Sequence, residues 1–310
     1  MSPTTTAGTA ISTNWESTFA ASFSKRRYLN ASCVGALTVL LGLALSSLPA
    51  QAQEGAGNLL IAPTRIVFEG RKRAAEVTLV NTGAEAATYR VSFINLRMDE
   101  EGGTQEITAA QALPGEQFSG EFIRYSPRQV TLESRVAQTV RMQVRLPADL
   151  PAGEYRSHLL FRAVPPTGGL LSSPGEATGL SIQLTPIYGV AIPVIVRRGE
   201  TTATVTLSEL EFVGSATAEA DPALRFWIRR AGNQSVHGDL TATFVPGAGK
   251  PVVVGRANGV AVYTPNPARH ATMQLHLPPG LLLQSGRLHL TYSQQGEVDT
   301  NLAEADLLIP

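Results

Sequence analysis

The residues of this chain that could do chemistry are few, and their spacing argues against an active site. Its five histidines are His158, His237, His270, His276 and His289. His276 and His289 each stand between two leucines, so in a strand they fall on the face opposite the apolar set and read as solvent-facing residues, with no metal site. The single cysteine, Cys33, lies near the N-terminus, which leaves the rest of the chain without disulfides, thiolate zinc sites or a thiol nucleophile. Neither a G-x-S-x-G elbow nor an H-E-x-x-H pair occurs. Gly247-Ala248-Gly249-Lys250 looks like part of a phosphate loop, but Phe244 stands at its first glycine and Pro251 at its hydroxyl, so a hairpin turn is expected. Lys+Arg and Asp+Glu are equal at 25 each, so no polycationic surface argues for nucleic acid. The expectation is a non-enzyme without cofactor, nucleotide or nucleic acid.

Lys25-Arg26-Arg27, the uncharged apolar run Val34 to Leu48, and Ala50-Gln51-Ala52 have the layout of a cleavable export signal. The apolar run is too short to span a bilayer, which takes roughly 20 residues. Cys33 precedes the run, where a lipoprotein cysteine would follow it. A periplasmic protein beginning at Gln53 is therefore expected. The leader carries three basic residues and one acidic, so of 25 and 25 the exported chain keeps 22 and 24.

The elements that must carry any function are strands. Seven apolar-alternating runs are expected first: Leu59 to Phe68, Glu76 to Asn81, Ala87 to Met98, Phe122 to Tyr125, Ala137 to Leu146, Arg156 to Val164 and Leu180 to Val196. Thr104 to Glu121 reads as loop or bulged edge, and Asp99 to Glu101 as a solvated turn. Six further runs follow Gly199: Val205 to Phe212, Leu224 to Arg230, Leu240 to Val245, Val252 to Val262, Thr272 to Leu277 and Arg287 to Tyr292, with Ala303 to Ile309 as a closing strand. Trp227 is expected in the core of that second set. The reading is all-β: two immunoglobulin-like β-sandwich domains, residues 53–198 and 199–310, joined at a fixed elbow, behind an extension and signal over residues 1–52.

Leu180 to Val196 stands out among these runs. Leu180, Ile182 and Leu184 alternate with polar residues, as in a half-exposed strand, and the second half is almost continuously apolar. A bare edge with large aliphatic side chains invites pairing and is normally blunted. Leaving it bare suggests use.

The ordered series of motifs resembles the periplasmic chaperones of the PapD type that assemble pili by the chaperone-usher route. Pro63-Thr64-Arg65-Ile66-Val67-Phe68 is similar to that family's first strand, and Glu76 to Asn81 to its second. Tyr125-Ser126-Pro127-Arg128, Leu132 and Gln138-Thr139-Val140-Arg141 are similar to its fourth and fifth, and Glu154 followed by Val164-Pro165-Pro166 to its sixth.

The resemblance implies that Leu180 to Thr185 is lent to a pilus or fibre subunit whose own sandwich lacks a strand, with Leu180, Ile182 and Leu184 filling its groove. Burying three such side chains contributes about 5 to 8 kcal/mol before the costs of association. Alternatively, the three face this chain's own core. The resemblance also implies that Arg65 pairs the subunit's terminal carboxylate with its guanidinium fork. Where the family has a second cation, this chain has Tyr188 or Gly189, and a tyrosine hydroxyl could supply one neutral donor. Glu154 fits the family's interdomain salt cluster, whereas the arginine expected before Pro193 is Ile192. The implied partners are subunits with an incomplete β-sandwich and an outer-membrane usher, with self-association through the bare strand as a further outcome. The alternative function is a structural or adhesive two-domain surface protein whose Leu180 strand pairs only internally.

Overall fold

The computed structural model describes residues 58–165, 187–214, 221–295 and 300–310. Its first sandwich contains β1 (Leu59–Ala62), β2 (Ile66–Phe68), β3 (Ala74–Asn81), β4 (Ala87–Met98), β5 (Thr104–Ile107), β6 (Ile123–Ser126), β7 (Gln129–Leu132), β8 (Ala137–Val144), β9 (Gly153–Val164) and β10 (Gly189–Arg198). One sheet runs β1-β3-β8-β6 and the other β2-β10-β9-β4-β5, with β7 also paired to β4. Alternation drives the packing: Val77 and Leu79 of β3, Val140 and Met142 of β8, Leu159 and Phe161 of β9, and Ile192, Val194 and Val196 of β10 meet in one buried core.

Two expectations need correction here, and one strand is new. Leu59 to Phe68 is not one strand: β1 pairs antiparallel with β3, and β2 pairs parallel with β10 in the opposite sheet. Pro63, which lacks an N–H for the ladder, stands in the intervening segment, where the chain crosses between sheets. The short strand β7 is an addition to the expected runs, with Val130 and Leu132 buried. Thr104 to Glu121 begins with β5, paired to the end of β4, and continues through the one-turn 3-10 segment Ala109–Gln111.

The second sandwich holds β11 (Ala203–Val213), β12 (Ala223–Gly232), β13 (Val236–Pro246), β14 (Val252–Val262), β15 (Ala268–Gln274), β16 (Gly286–Gln294) and β17 (Asn301–Ile309). Its sheets run β11-β12-β15 and β14-β13-β16-β17, and no strand of this set pairs with the first sandwich among the described residues. Leu224, Phe226 and Ile228 of β12 point inward against Leu240, Phe244, Leu288 and Leu290. Trp227 therefore lies on the outer face, contrary to the expected core position, beside His270 (ring centroids 5.0 Å apart) and Arg229. The pleat decides this, since Trp227 sits between two inward residues. His276 and His289 also project outward, bonded to Asp221 at 2.6 Å and Asp306 at 2.7 Å.

The two sandwiches meet over a small apolar cluster of Met98, Ile195, Ala261 and Tyr263, with Val67 against it. The Asp99 to Glu101 turn, expected in solvent, takes part: the His270 amide donates to the Glu100 carbonyl at 2.7 Å, and Asn266 Nδ2 donates to the Met98 carbonyl at 2.8 Å.

Candidate functional site

The face of β2, β10 and β9 that looks away from the first core is patterned in cross-strand rows. β2 pairs with β10 through Ile195 and Val67, while β10 pairs with β9 through Pro193 and His158, Ile195 and Arg156, and Arg197 and Glu154. Alternation along β9 thus sends Glu154, Arg156 and His158 to this face, while Tyr155, Leu159 and Phe161 enter the core.

Glu154 anchors the first row. Its carboxylate is fully buried and accepts Arg197 Nε at 3.1 Å and the Ser235 amide at 3.1 Å, together with the Ser235 hydroxyl. Ser235 lies just before β13 in the second sandwich, and Arg197 also reaches Glu69 at 3.0 Å. The neighbouring rows contribute Arg156, whose guanidinium stacks 4.0 Å from the Tyr263 ring centroid, and His158, whose ring meets Tyr263 edge-on at 6.3 Å. Arg156 Nη2 donates to the Leu96 carbonyl at 3.1 Å, but among the described residues its Nε and Nη1 are buried without partners, as is His158 Nδ1. Burial, and secondarily the Arg156 charge, hold the His158 imidazole down at about 3, so it is neutral here. Burial likewise pushes the Tyr263 phenol up, against the pull of Arg156 and Arg65.

Arg65 lies in the link between β1 and β2, immediately before the Ile66–Val194 pair. It is half-buried, its Nε has no partner, and no hydrogen bond or ion pair reaches its guanidinium among the described residues. Burial lowers its affinity for the proton, an effect opposed by Tyr263 and reinforced by Arg197. The guanidinium is nonetheless charged at neutral pH, as arginine is throughout proteins.

The register separates Arg65 from Tyr188. The residue level with Arg65 on β10 is Pro193, and Tyr188 is five residues earlier, about 16 Å along a strand. Among the described residues no contact joins the two side chains. Tyr188 is exposed instead, its carbonyl accepting the Ala163 amide at 2.9 Å. Ile192, in the place of the missing arginine, is a core residue, and Arg197 takes the Glu154 carboxylate. Leu180, Ile182 and Leu184 lie outside the described residues.

No family model matches the chain, and no curated protein matches it. Among solved structures it is similar to the YadV chaperone, at 12% identity over 81% of this chain and 100% of that one, with a TM-score of 0.40. The Escherichia coli chaperone DraB is similar at 11% identity, covering 81% and 96%, TM-score 0.40. The Pseudomonas aeruginosa CupB2 chaperone is similar at 13% identity, covering 81% and 100%, TM-score 0.39. Likeness at this level says nothing of what this chain binds.

β10 has one further property. β2 covers only Val194 to Val196, so from Gly189 to Pro193 the edge opposite β9 is unpaired among the described residues. Ile187, Tyr188 and Val190 are exposed at its start. An added strand in line with β2 would complete that edge, and its end would abut Arg65. The sequence signal for the rows on β9 was available in the spacing Glu154-x-Arg156-x-His158, but charged residues in alternation read as a solvated face unless a second body is known to cover them.

Proposed function

We propose that the chain is a periplasmic chaperone, a divergent member of the PapD type, which captures subunits with an incomplete β-sandwich and passes them to outer-membrane assembly. The observation that carries this reading is Arg65: a half-buried guanidinium without a partner among the described residues, placed where the bare stretch of β10 ends. A subunit strand whose terminal carboxylate reaches Arg65 must run in the direction of β10, parallel to it as β2 is. Main-chain bonds along Gly189 to Pro193 would supply affinity, and the fork on Arg65 would fix the register. Leu180, Ile182 and Leu184 would supply the side chains that fill the subunit's groove. A leader cleaved after Ala52, as the sequence is read, would put the encounter in the periplasm, and the elbow would need no nucleotide to act as a platform.

The test uses the exported chain, tagged and purified from the periplasm of its host with whatever β-rich secreted subunit accompanies it. Arg65→Ala should lose the subunit while the unfolding free energy of the free protein changes by no more than about 0.5 kcal/mol, because the side chain has no partner among the described residues to abandon. Capture that survives Arg65→Ala, or a large loss of stability, overturns the assignment.

A further inference from the structure

The second sandwich is closed along one flank, where β11 packs against β17, and open along the other. Among the described residues β14 pairs only with β13, and β15 only with β12. The two edges are tied at one end by the His276 amide donating to the Val254 carbonyl at 2.7 Å. At the other end the His270 amide is held instead by Glu100 of the first sandwich, also at 2.7 Å. Between these ties lies a cavity of about 350 Å³. Phe226, Leu240 and Met273, all buried core residues, form its floor, while Arg269, His270 and Glu101 stand at its rim.

Arg269 makes the rim distinctive. Its Nη1 donates to the Ala261 carbonyl at 2.9 Å, yet its Nε is buried without a partner among the described residues. The guanidinium is backed by the turn of the first sandwich at Gly102, whose φ of +88° and contact with Arg269 leave no space for a side chain. A fixed cation with an unused N–H, at the mouth of an apolar cavity within the size range of small-molecule sites, lacks an anionic acceptor joined to an apolar body. We infer that this cavity binds a small amphipathic monocarboxylate, its tail against Met273 and its carboxylate on Arg269. The site is separate from the bare edge of β10 and does not depend on the chaperone reading.

The chain offers its own reporters. Apart from Met1 it has three methionines: Met142 in the first core, Met98 at the seam and Met273 on the cavity floor. With methyl-labelled methionine in the mature protein, sodium octanoate below its micellar concentration should shift the Met273 methyl saturably at one equivalent and leave Met142 in place. Neutral 1-octanol should bind at least tenfold more weakly. Arg269→Gln should weaken octanoate about tenfold while leaving octanol unchanged, and Ala257→Phe, which fills the cavity wall, should abolish both. An unmoved Met273, or equal movement of Met142, overturns the site. Octanol binding as tightly as octanoate overturns the role of Arg269, and the comparison in the unaltered protein stands even if a variant fails to fold.

Discussion

His158 should impose an acid limit on stability that one substitution removes. The residue is 5% exposed, its Nδ1 has no partner among the described residues, and its imidazole is held at about 3 by burial and by Arg156, against an ordinary value of 6.5. Between those values the unfolded chain takes up a proton at this residue and the folded chain does not, so unfolding is favoured as pH falls. The stability is complete above about pH 6.5 and declines by up to about 1.4 kcal/mol per pH unit below it, roughly 5 kcal/mol in all by pH 3 and about 2.7 kcal/mol by pH 4.5. His158→Leu keeps an apolar contact with Tyr263 and has no proton to gain. Urea unfolding of both proteins at pH 7.5, 6.5, 5.5 and 4.5 isolates the effect, because the carboxylates and His237 titrate alike in each. The variant should lose less stability than the parent by about 2.7 kcal/mol between pH 7.5 and 4.5. Parallel curves would refute the buried neutral imidazole.

Glu154→Ala should destabilise the protein by about 3 to 5 kcal/mol, since it leaves Arg197 and the Ser235 amide and hydroxyl without their shared acceptor. Calorimetry should show the transition lowered by on the order of ten degrees, and a loss below about 1 kcal/mol would mean the seam is held by its apolar cluster instead. Arg97 holds the Glu116 carboxyl below the usual range through paired hydrogen bonds at 2.7 Å, reinforcing the Leu113 amide contact. That support is present above the ordinary carboxyl range and fades as pH falls through the lowered value. Arg97→Met should therefore speed hydrogen exchange in residues 108–117 at neutral pH, with acid adding little more. Unchanged exchange would show that the segment is fixed by other contacts.

The sandwiches were legible because most of their strands alternate cleanly: β3, β8, β12, β13 and β16 each place apolar residues two apart, and the pleat converts that spacing directly into a buried face. The elements that escaped are those whose partners lie far along the chain. Nothing near Leu59 to Phe68 says that its two halves belong to different sheets, because β3 and β10 decide that. Hydrophobicity alone puts Trp227 inward, although Phe226 beside it already occupies the inward position, and the pleat allows only one of them. Arg65 was reached through the family resemblance, and its lack of a partner emerged only in three dimensions. The resemblance could not supply the distance of Tyr188, which depends on where β2 begins to pair.

That pairing also bears on the order in which the chain can be completed. β2 is made well before β10, its one partner among the described residues, which follows 128 residues later, from Ile66 to Val194. Parallel pairing at such separation forms late, because the intervening chain must be ordered before the contact is rewarded. Until then Val67 has no Ile195 to lie against and the apolar cluster under Tyr263 has no wall. The second sandwich therefore has nothing finished to dock on while the first is still threading, and any folding helper or protease present at that stage meets the two bodies apart.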